Sequence, residues 1–488
     1  MTATSSVDSE AGPSSKHEER KVLAGTLVGT TIEWYDFFIF AQLTATLLSP
    51  LFLAPLNASN PGLAQILSFA LIGISFLFRP LGAIVAGHLG DRLGRKAMLV
   101  FTLVMMGAAT ALIGMLPTYA QIGVWAPILL ILLRVIQGFS AGGEWGGAAL
   151  MAVEHAPMSK RGLFGAYPQI GVPVGMILAT GLLYFLNTSM SKEDFASWGW
   201  RVPFLLSIVL IVVGYLIRRA VAESPVFKEM SARKEESKAP LGELIRKHKK
   251  AVLYSTMIFI GNNAAGYLLI AFFISYATKS LKMPTPQILL ATTLASFGWL
   301  IFTLVGGWLS DKIGRVKTFL TGYAIVFAWM IPMFALIDTK NIVLYGVALF
   351  VLTIGLGLSY GPMSAMYAEM FPANVRYSGI SIGYAFGAIL GGAFAATIAE
   401  ALLQGTKWTG SIGIYIMVLC VISAVGVILA GETKGRPLGV APMCRPNRSG
   451  TSRQRSTGGT RVACALLPER WTEASVPTAR GSSRPRVL

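Results

Sequence analysis

The sequence predicts an all-α membrane protein with twelve transmembrane helices, arranged as two pseudo-symmetric bundles of six helices each. Three observations predict this fold class: a shortage of charged residues, twelve apolar runs of spanning length, and two motifs that recur at nearly the same offset. Of the 488 residues, 54% are hydrophobic and only 13% are charged. Soluble domains carry about 25% charged residues, so we expect most of this chain to lie in lipid.

Twelve runs along the chain are long enough to cross a bilayer. A spanning helix needs about 20 largely apolar residues at a rise of 1.5 Å per residue. The runs lie at 22–46, 63–87, 97–116, 126–150, 162–187, 200–219, 251–275, 288–309, 318–337, 342–365, 377–402 and 411–430. The first run is too long for the apolar core of a cleavable signal peptide, so we interpret it as a spanning helix.

The distribution of Lys and Arg predicts the orientation of these helices. Up to residue 440, the loops on the side of the N-terminus hold 24 Lys and Arg, whereas the opposite loops hold five. Cytoplasmic loops carry such an excess, and an even number of spans places both termini in the cytoplasm. The same clustering in loops argues against nucleic-acid binding, although the net charge is +18.

The charge pattern and the apolar runs divide the chain into five regions. The 220–250 region is polar and basic, and we expect a short amphipathic helix within it. Residues 441–488 hold nine Arg, no Lys and no apolar periodicity, which indicates disorder; a membrane-surface tail and an out-of-frame extension are the alternatives. The regions are a cytoplasmic arm at 1–21, a bundle at 22–219, a cytoplasmic linker at 220–250, a second bundle at 251–430 and a cytoplasmic tail at 431–488.

Two motifs recur between the two halves of the chain. The loop at 87–96 and the loop at 307–317 share Gly, Asp, Gly and Arg at an offset of 220. A second motif recurs at an offset of 215, with Glu154, Pro157 and Arg161 matched by Glu369, Pro372 and Arg376. Two different motifs at nearly one offset indicate a duplicated six-helix unit.

These repeated loops carry charged residues at the predicted cytoplasmic ends of moving helices. Breaking a buried ion pair is costly, which suits a gate with two states; a solvated, positively charged loop is the simpler alternative. The predicted gate residues are Asp91, Arg92, Arg95, Glu154, Arg161, Asp311, Arg315, Glu369 and Arg376.

The chain resembles the major facilitator superfamily through the loop GHLGDRLGRK at 87–96. More narrowly, it is similar to the metabolite:proton symporter family, which includes permeases for shikimate, α-ketoglutarate, and proline or betaine. The motifs that carry this similarity are EWYDF at 33–37, FRPLG at 78–82, RVIQGFSAGGEWGGAAL at 134–150, WGWRVPF at 198–204, ESPVF at 223–227 and EMFPANVRYSG at 369–379. The resemblance covers about residues 20–440 and implies proton-coupled uptake, without identifying the substrate.

Among the ionisable residues inside predicted spanning helices are Glu33 and Asp36 in the first and Arg134 in the fourth. An ionisable residue there is costly and is by default a functional candidate. At the helical rise, Arg134 lies ~12 Å and Asp36 ~15 Å from the outer ends of their helices. These similar depths predict an ion pair between Asp36 and Arg134. When the helices move and separate the pair, the Asp36 carboxylate would gain a proton in place of the arginine.

The family resemblance implies the same coupling role for Asp36 and Arg134, because they match an acid on helix one and an Arg on helix four. A static pair that ties two helices together is the alternative, and Glu33 is a candidate to share or replace Asp36. Glu144 lies in a glycine-rich stretch at 142–147 where helices approach closely. Its role and its partner stay open at this point.

Substrate sites in such folds lie near the membrane midplane, between the halves. The candidates at that depth are Tyr35, Gln137, Gln169, Asn262, Asn263, Tyr267, Trp299 and Tyr360. Each is also a candidate for helix packing. Arg134 is a further candidate, since a guanidinium binds a carboxylate through two hydrogen bonds.

The sequence lacks a His box, a nucleotide-binding glycine loop and a nucleophile elbow, so we expect no cofactor, no metal and no enzymatic activity. The expected partners are a small metabolite, protons and the lipid bilayer, with no nucleic acid, for a monomer in the plasma or inner membrane. The function predicted is proton-coupled symport of a small organic carboxylate or zwitterion. Efflux by antiport is the alternative, because the Gly-Pro spacing at 165–175 partly resembles the Gly-Pro pattern of antiporters. A non-transporting membrane sensor is the third possible function.

Overall fold

The computed structural model of the chain describes residues 16–93, 95–219 and 240–438. Within these residues the backbone is almost entirely helical and forms no β-strand. Twelve long helices follow each other along the chain. They are α1 Lys16–Thr46, α2 Pro61–Leu93, α3 Arg95–Met115, α4 Trp125–Glu154, α5 Arg161–Ser189, α6 Val202–Arg219, α7 Lys249–Ser280, α8 Thr285–Ile313, α9 Arg315–Ile337, α10 Ile342–Met370, α11 Ala373–Thr406 and α12 Gly410–Ala430.

These twelve helices coincide with the twelve predicted runs. Eleven of the described helices are long and apolar enough to cross a membrane, and α1 is the one that does not meet this criterion. With 31 residues, α1 has the length, but it carries Glu33, Asp36 and several threonines. Because residues 30–44 of α1 are buried by other helices, its polar groups face protein rather than lipid.

Short helices connect several of the long ones. They are Leu48–Phe52, Ala54–Ser59, Tyr119–Ile122, Lys192–Ser197 and Pro240–Lys247. The last is the amphipathic helix expected in the linker, since Leu244 is buried while Arg246 and Lys247 are exposed. Residues 220–239 of the predicted linker lie outside the described residues.

The two ends of the helical assembly differ in the loops they carry. The motif face holds the connections α2–α3, α4–α5, α8–α9 and α10–α11, which contain the repeated motifs. The opposite face holds the connections α1–α2, α3–α4, α5–α6, α7–α8, α9–α10 and α11–α12. The residues described up to 438 belong to one compact unit, so the division into two bundles rests on the sequence repeat. That the motif face is cytoplasmic stays a prediction.

The glycines of α4 bring that helix into direct contact with α2. A Cβ atom at Gly138 would lie 1.9 Å from the carbonyl oxygen of Ser75, and one at Gly142 would lie 2.1 Å from that of Arg79. Only glycine fits at these crossings. The contact places two polar residues of α2, Ser75 and Arg79, beside α4 in the interior of the first half.

Three helices of the second half are irregular. In α7 the segments Leu268–Phe272 and Tyr276–Ser280 are π-helical, and in α11 the segment Ile389–Ala393 is π-helical. In α10 the helix is interrupted after Tyr360 and resumes at Met363. Such π turns are frequent at functional sites, and here they lie along the helices that surround a central cavity.

Candidate functional site

A narrow cavity lies between the two halves of the protein, with about 10 Å³ of space for the centre of a water-sized sphere. Its wall is mostly aromatic, formed by Trp34 of α1 and by Phe259, Tyr267, Trp299 and Tyr360 of the second half. Most sites for small molecules measure about 300–1,000 Å³. The cavity is therefore small in this conformation, and its position between halves is the position expected of a substrate site.

Five of the predicted substrate residues line this cavity: Asn262, Asn263, Tyr267, Trp299 and Tyr360. Both asparagines are held in place by the hydrogen bonds that their side-chain amides donate. Asn262 Nδ2 donates to the carbonyl of Leu356 at 2.9 Å, and Asn263 Nδ2 donates to the carbonyl of Ala388 at 3.2 Å. The cavity wall is thus fixed to α10 and α11, so its shape depends on the packing of the second half.

The other four predicted substrate residues, Tyr35, Arg134, Gln137 and Gln169, do not line the cavity. The Tyr35 hydroxyl donates to the carbonyl of Pro203 at 3.0 Å, and Gln137 lies within the first half. Gln169 joins the halves, since its Nε2 donates to the carbonyl of Tyr360 at 3.1 Å. On α1 the cavity is instead lined by Trp34. Consecutive helical residues point about 100° apart, so Trp34 and Tyr35 face different neighbours.

The direct Asp36–Arg134 ion pair predicted from their depths is not formed in the described structure. Asp36 Oδ1 accepts a hydrogen bond from the Ser207 hydroxyl of α6, while its Oδ2 has no partner. Arg134 Nη1 donates to Gln137 Oε1 at 2.8 Å, and Gln137 Nε2 donates to Thr110 Oγ1 at 2.7 Å. Because the Thr110 hydroxyl also lies near Asp36, a polar chain links acid and guanidinium indirectly.

Glu33 and Asp36 face different parts of the protein although they share α1. Asp36 lies against α6, whereas the charge of Glu33 acts on the hydroxyls of Tyr267, Tyr360 and Tyr384 in the second half. Both carboxylates are almost fully buried. Glu33 is therefore the acid nearer the cavity.

Sequence reasoning missed a second buried guanidinium, Arg79 of α2, which is only 2% exposed. Its Cζ lies 4.3 Å from the ring centre of Phe76 and 5.6 Å from those of Trp34 and Phe37. Its Nε and Nη1 have no hydrogen-bond partner. The signal was available, because Arg79 lies inside an apolar run, within the FRPLG motif, just as Asp36 lies inside the first run.

Aromatic rings and one lysine close the protein between the cavity and the opposite face. Phe37 and Phe76 of the first half each contact Tyr267, with ring centres 5.5 Å and 5.1 Å away. Nearer the loops, Lys279 of α7 donates a hydrogen bond to Gln65 of α2. Among the residues that the structure describes, this closure joins the halves with a single charged side chain, Lys279.

Buried charges close the motif face. Arg376 Nη1 donates to Glu154 Oε1 of the first half at 3.1 Å, and Arg161 Nη1 lies 3.9 Å from Glu369 Oε1. Arg315 lies 3.3 Å from the same Glu369 oxygen and is fully buried. Four of the nine predicted gate residues therefore pair across the halves, and Arg315 binds Glu369 from within the second half. The side chains of Asp91, Arg92 and Arg95 lie outside the described residues.

One acid of the motif face caps a helix of the other half. Asp311 of α8 accepts hydrogen bonds from the backbone N–H groups of Gly162 and Leu163, at 2.8 Å and 2.9 Å. These groups lie in the first turn of α5, where unpaired N–H groups and the helix dipole favour a negative charge. Separation of the halves would break this cap together with the ion pairs.

The chain after α12 takes part in the same closure, with residues that belong to the predicted tail at 431–488. The Thr433 hydroxyl donates to Glu369 Oε2 at 2.9 Å, and Arg161 Nη1 donates to the carbonyl of Arg436 at 2.6 Å. Residues 432–438, here called the strap, therefore touch both halves. The sequence gives little sign of this, because the strap is short and polar. Residues 439–488 lie outside the described residues.

Glu432 of the strap accepts hydrogen bonds from the backbone at the start of α9. Burial alone would raise the pKa of Glu432, but backbone N–H groups lower it below the usual value; they belong to Lys434, Arg315, Val316 and Thr433. The carboxylate thus holds the strap to the helix end as an anion.

Glu144, whose partner the sequence left open, is buried between α4 and α3. The Thr102 hydroxyl donates to Glu144 Oε2 at 3.1 Å. The neighbouring backbone also joins the halves, since the Tyr377 hydroxyl of α11 donates to the carbonyl of Gly143 at 2.7 Å. Glu144 therefore lies near a contact between α4 and α11, away from the residues that line the cavity.

The comparisons with known proteins agree with this architecture. Residues 36–396 match the model of the Major Facilitator Superfamily. The fold is also similar to that of the proton:xylose symporter XylE bound to 6-bromo-6-deoxy-D-glucose, with a TM-score of 0.71 and 17% identity, over 87% of this chain and 98% of that one. At that identity the likeness shows the fold alone.

Three curated relatives are similar over most of both chains. The inner membrane metabolite transport protein YhjE of Escherichia coli K12 is 38% identical, covering 90% of this chain and 99% of the relative. The shikimate transporter of the same organism is 36% identical, over 87% and 97%. The proline/betaine transporter of Salmonella typhimurium is 32% identical, over 86% and 85%. The chain therefore belongs to the major facilitator superfamily and is an all-helical membrane transporter, not an enzyme.

Proposed function

We propose that this transporter couples the uptake of a small organic carboxylate or zwitterion to the entry of protons. The observation that carries the proposal is Asp36, a fully buried carboxylate in α1 with one oxygen unpartnered. An ionised carboxylate in hydrocarbon is costly unless it is paired. Its charge state and the packing around it must therefore change together.

The polar chain beside Asp36 offers a way to link its proton to helix movement. Asp36 contacts α6 through Ser207, while Thr110 of α3 and Gln137 of α4 connect its surroundings to Arg134. In the conformation described, Asp36 and Arg134 are not in contact. A shift that brings the Arg134 guanidinium to the Asp36 carboxylate would displace the proton from that carboxylate. Asp36 would then alternate between a protonated state and a state paired with Arg134.

The central cavity supplies the substrate side of the proposal. It lies between halves that are closed at both ends, and a movement of the halves that opens one face would also widen it for a solute. Two of the relatives are named as transporters of shikimate and of proline or betaine. These solutes are small carboxylates and zwitterions, which supports this class for the present chain.

We also propose that the protein works as a monomer in the inner membrane, with both termini and the motif face in the cytoplasm. The excess of Lys and Arg in the loops of the motif face supports this orientation. The charged cluster is then the inner gate, and the contacts around Tyr267 and Lys279 form the outer one.

The test is uptake by proteoliposomes under an imposed pH gradient, with shikimate, α-ketoglutarate, proline and glycine betaine as solutes. We expect accumulation of at least one solute when the outside is acidic. Asp36→Asn is expected to abolish accumulation but to keep exchange of labelled for unlabelled solute, because exchange needs no net proton movement. Asp338→Asn is the matched control, since Asp338 lies at the opposite face and bonds to Tyr276 and Thr409.

Two results would contradict the proposal. Accumulation by Asp36→Asn with a normal response to pH would remove Asp36 from the coupling mechanism. Solute that leaves the vesicles as protons enter them would show antiport instead of symport.

A further inference from the structure

We propose that Arg79, rather than Arg134, is the cation that binds the carboxylate of the substrate. This inference rests on the proposed function and deepens it, because it assigns the recognition of the anionic group to one residue. It replaces the assignment that the sequence suggested, in which Arg134 was the anchor.

The two buried guanidinium groups differ in their hydrogen bonds. All three nitrogens of Arg134 donate: Nε to the carbonyl of Leu71 at 3.3 Å, Nη1 to Gln137 at 2.8 Å and Nη2 to Ser75 Oγ at 2.8 Å. Arg79, in contrast, has no partner for Nε or Nη1. A buried charged donor without hydrogen bonds is costly, so this site is incomplete until an acceptor enters.

Aromatic rings contact the guanidinium of Arg79 and offer it no hydrogen-bond acceptor oxygen. The guanidinium lies over the rings of Phe76, Trp34 and Phe37. Such stacking contacts the flat face of the group. Its N–H donors point outward in the plane, where a carboxylate binds through two parallel bonds.

Arg79 does not line the central cavity itself but lies directly behind its wall. Trp34, one of the rings that it stacks on, lines the cavity. The charge of Arg79 also acts on the hydroxyls of Tyr267 and Tyr360, which line the cavity from the other half. Two other charged groups share this region: Glu33, which acts on the same hydroxyls, and Arg134, which interacts with Arg79 and Tyr267.

The cavity itself has more unused donors than a neutral solute would need. Trp34 Nε1, Trp299 Nε1 and the Tyr267 hydroxyl have no hydrogen-bond partner in the described structure. An indole N–H can only donate. A ligand that satisfies these groups together with Arg79 must be rich in acceptors, and a carboxylate is the smallest such group.

The experiment compares acids with their uncharged amides on the purified full chain. Shikimate, proline, glycine betaine and α-ketoglutarate are tested beside their carboxamides, by the rise in melting temperature as each compound is titrated. We expect the wild type to prefer an acid over its amide. Arg79→Gln is expected to weaken binding of the acid by roughly 10- to 100-fold, since hydrogen bonds to charged groups contribute that much, and to leave amide binding nearly unchanged.

Two further variants separate recognition from structure. Arg201→Gln is the control, because Arg201 also stacks on a tryptophan, Trp200, at 4.4 Å but bonds to backbone carbonyls near the opposite face. Arg79→Lys keeps the positive charge but lacks the two parallel N–H donors of a guanidinium. It should therefore retain part of the preference for the acid over its amide, unlike Arg79→Gln. The melting temperature of ligand-free Arg79→Gln should equal or exceed that of the wild type, because an unsatisfied buried cation is removed, whereas a structural arginine would lower it on removal.

The inference is overturned if Arg79→Gln keeps the preference for acids, or if the wild type binds acid and amide equally or binds no compound of the panel. Failure of proton coupling would look different: the wild type would still prefer the acid through Arg79, but its uptake would not respond to the pH gradient.

Discussion

The two faces of this transporter are closed by different chemistry. At the motif face, buried ion pairs among Glu154, Arg161, Arg315, Glu369 and Arg376 join the halves, and an acid of one half caps a helix of the other. At the opposite face, aromatic rings and one Lys–Gln hydrogen bond make the contact. Charged partners that separate must be hydrated or paired anew, whereas rings slide apart with a smaller penalty. We therefore expect the motif face to be the harder one to open.

The largest expected effect on this comparison comes from Arg315→Ala. Arg315 Nη1 lies 2.8 Å from Asp311 Oδ1 and its Nη2 lies 3.3 Å from Glu369 Oε1. Its loss leaves Asp311 without its cation and leaves Glu369 with the more distant Arg161 at 3.9 Å. Removal of one partner from a buried pair costs about 3–5 kcal/mol. The motif face should open more often by a factor of roughly 100 or more.

The measurement is the rate at which a thiol reagent labels Ser364→Cys in a background without other cysteines. Ser364 is fully buried beside Gly165 of the other half, and its hydroxyl has no partner. Lys247→Ala is the control, because it removes a cation from the largely exposed pair with Glu243, which contributes at most about 1 kcal/mol. Equal labelling of Arg315→Ala and the wild type would show that the charge cluster does not hold this face closed.

A smaller effect is expected from Gly162→Ala at the same face. A Cβ there would lie 2.3 Å from Ser310 Oγ and 2.4 Å from the carbonyl oxygen of Gly307, so α5 and α8 must move apart. Overpacking of this kind costs about 1–3 kcal/mol, and labelling of Ser364→Cys should increase. Gly181→Ala on the same helix has nothing within 4 Å of its new Cβ; it should leave labelling unchanged and stabilise the helix by about 0.5–1 kcal/mol. Faster labelling of Ser364→Cys with both the Gly162→Ala and the Gly181→Ala variants would indicate general destabilisation of the protein instead.

The smallest effect is expected at the opposite face, from Lys279→Met. This change removes one hydrogen bond to Gln65, which contributes about 1 kcal/mol. The measurement is the distance between spin labels attached at Gly62→Cys and Gly405→Cys. Molecules in which the opposite face is open would appear as a population with a longer distance between the labels. Both positions have room for a side chain. Exposed Lys282 provides the control, Lys282→Met, which should not change the distances.

The comparison itself would be wrong if Lys279→Met opened its face more than Arg315→Ala opens the other. That result would mean that the aromatic contacts contribute little and that one lysine holds the opposite face. It would also make the opposite face the harder one to open.

The fold was largely readable from the sequence, because lipid constrains a spanning helix so strongly. Run length and loop charge located all twelve helices, and the repeat at residues such as Asp311 and Arg376 indicated the cluster at the motif face. The interior side chains were harder. Depth along a helix predicted that Asp36 and Arg134 lie at one level, but not that Ser207 and Gln137 take their hydrogen bonds.

The residues that line the cavity show the same limit. Polar type and depth found Asn262, Tyr267 and Trp299, since the apolar helices leave few such residues at the midplane. The same reasoning chose Tyr35 over its neighbour Trp34, because the rotation of α1 about its axis depends on tertiary packing. Arg79 differs from these residues, because the FRPLG motif indicates the family without indicating that its guanidinium lies in the protein interior.

The strap after α12 gives the protein a natural reporter of its own opening. Leu438 is buried, and the strap is bonded to both halves, yet the bond between Lys434 and Gly435 is a site that trypsin recognises, whereas the Arg436–Pro437 bond is not. Cleavage of a transiently released segment follows the population of the open form when reclosing is fast. Digestion of the unlabelled protein would therefore compare solutes by how far each one holds the strap in place.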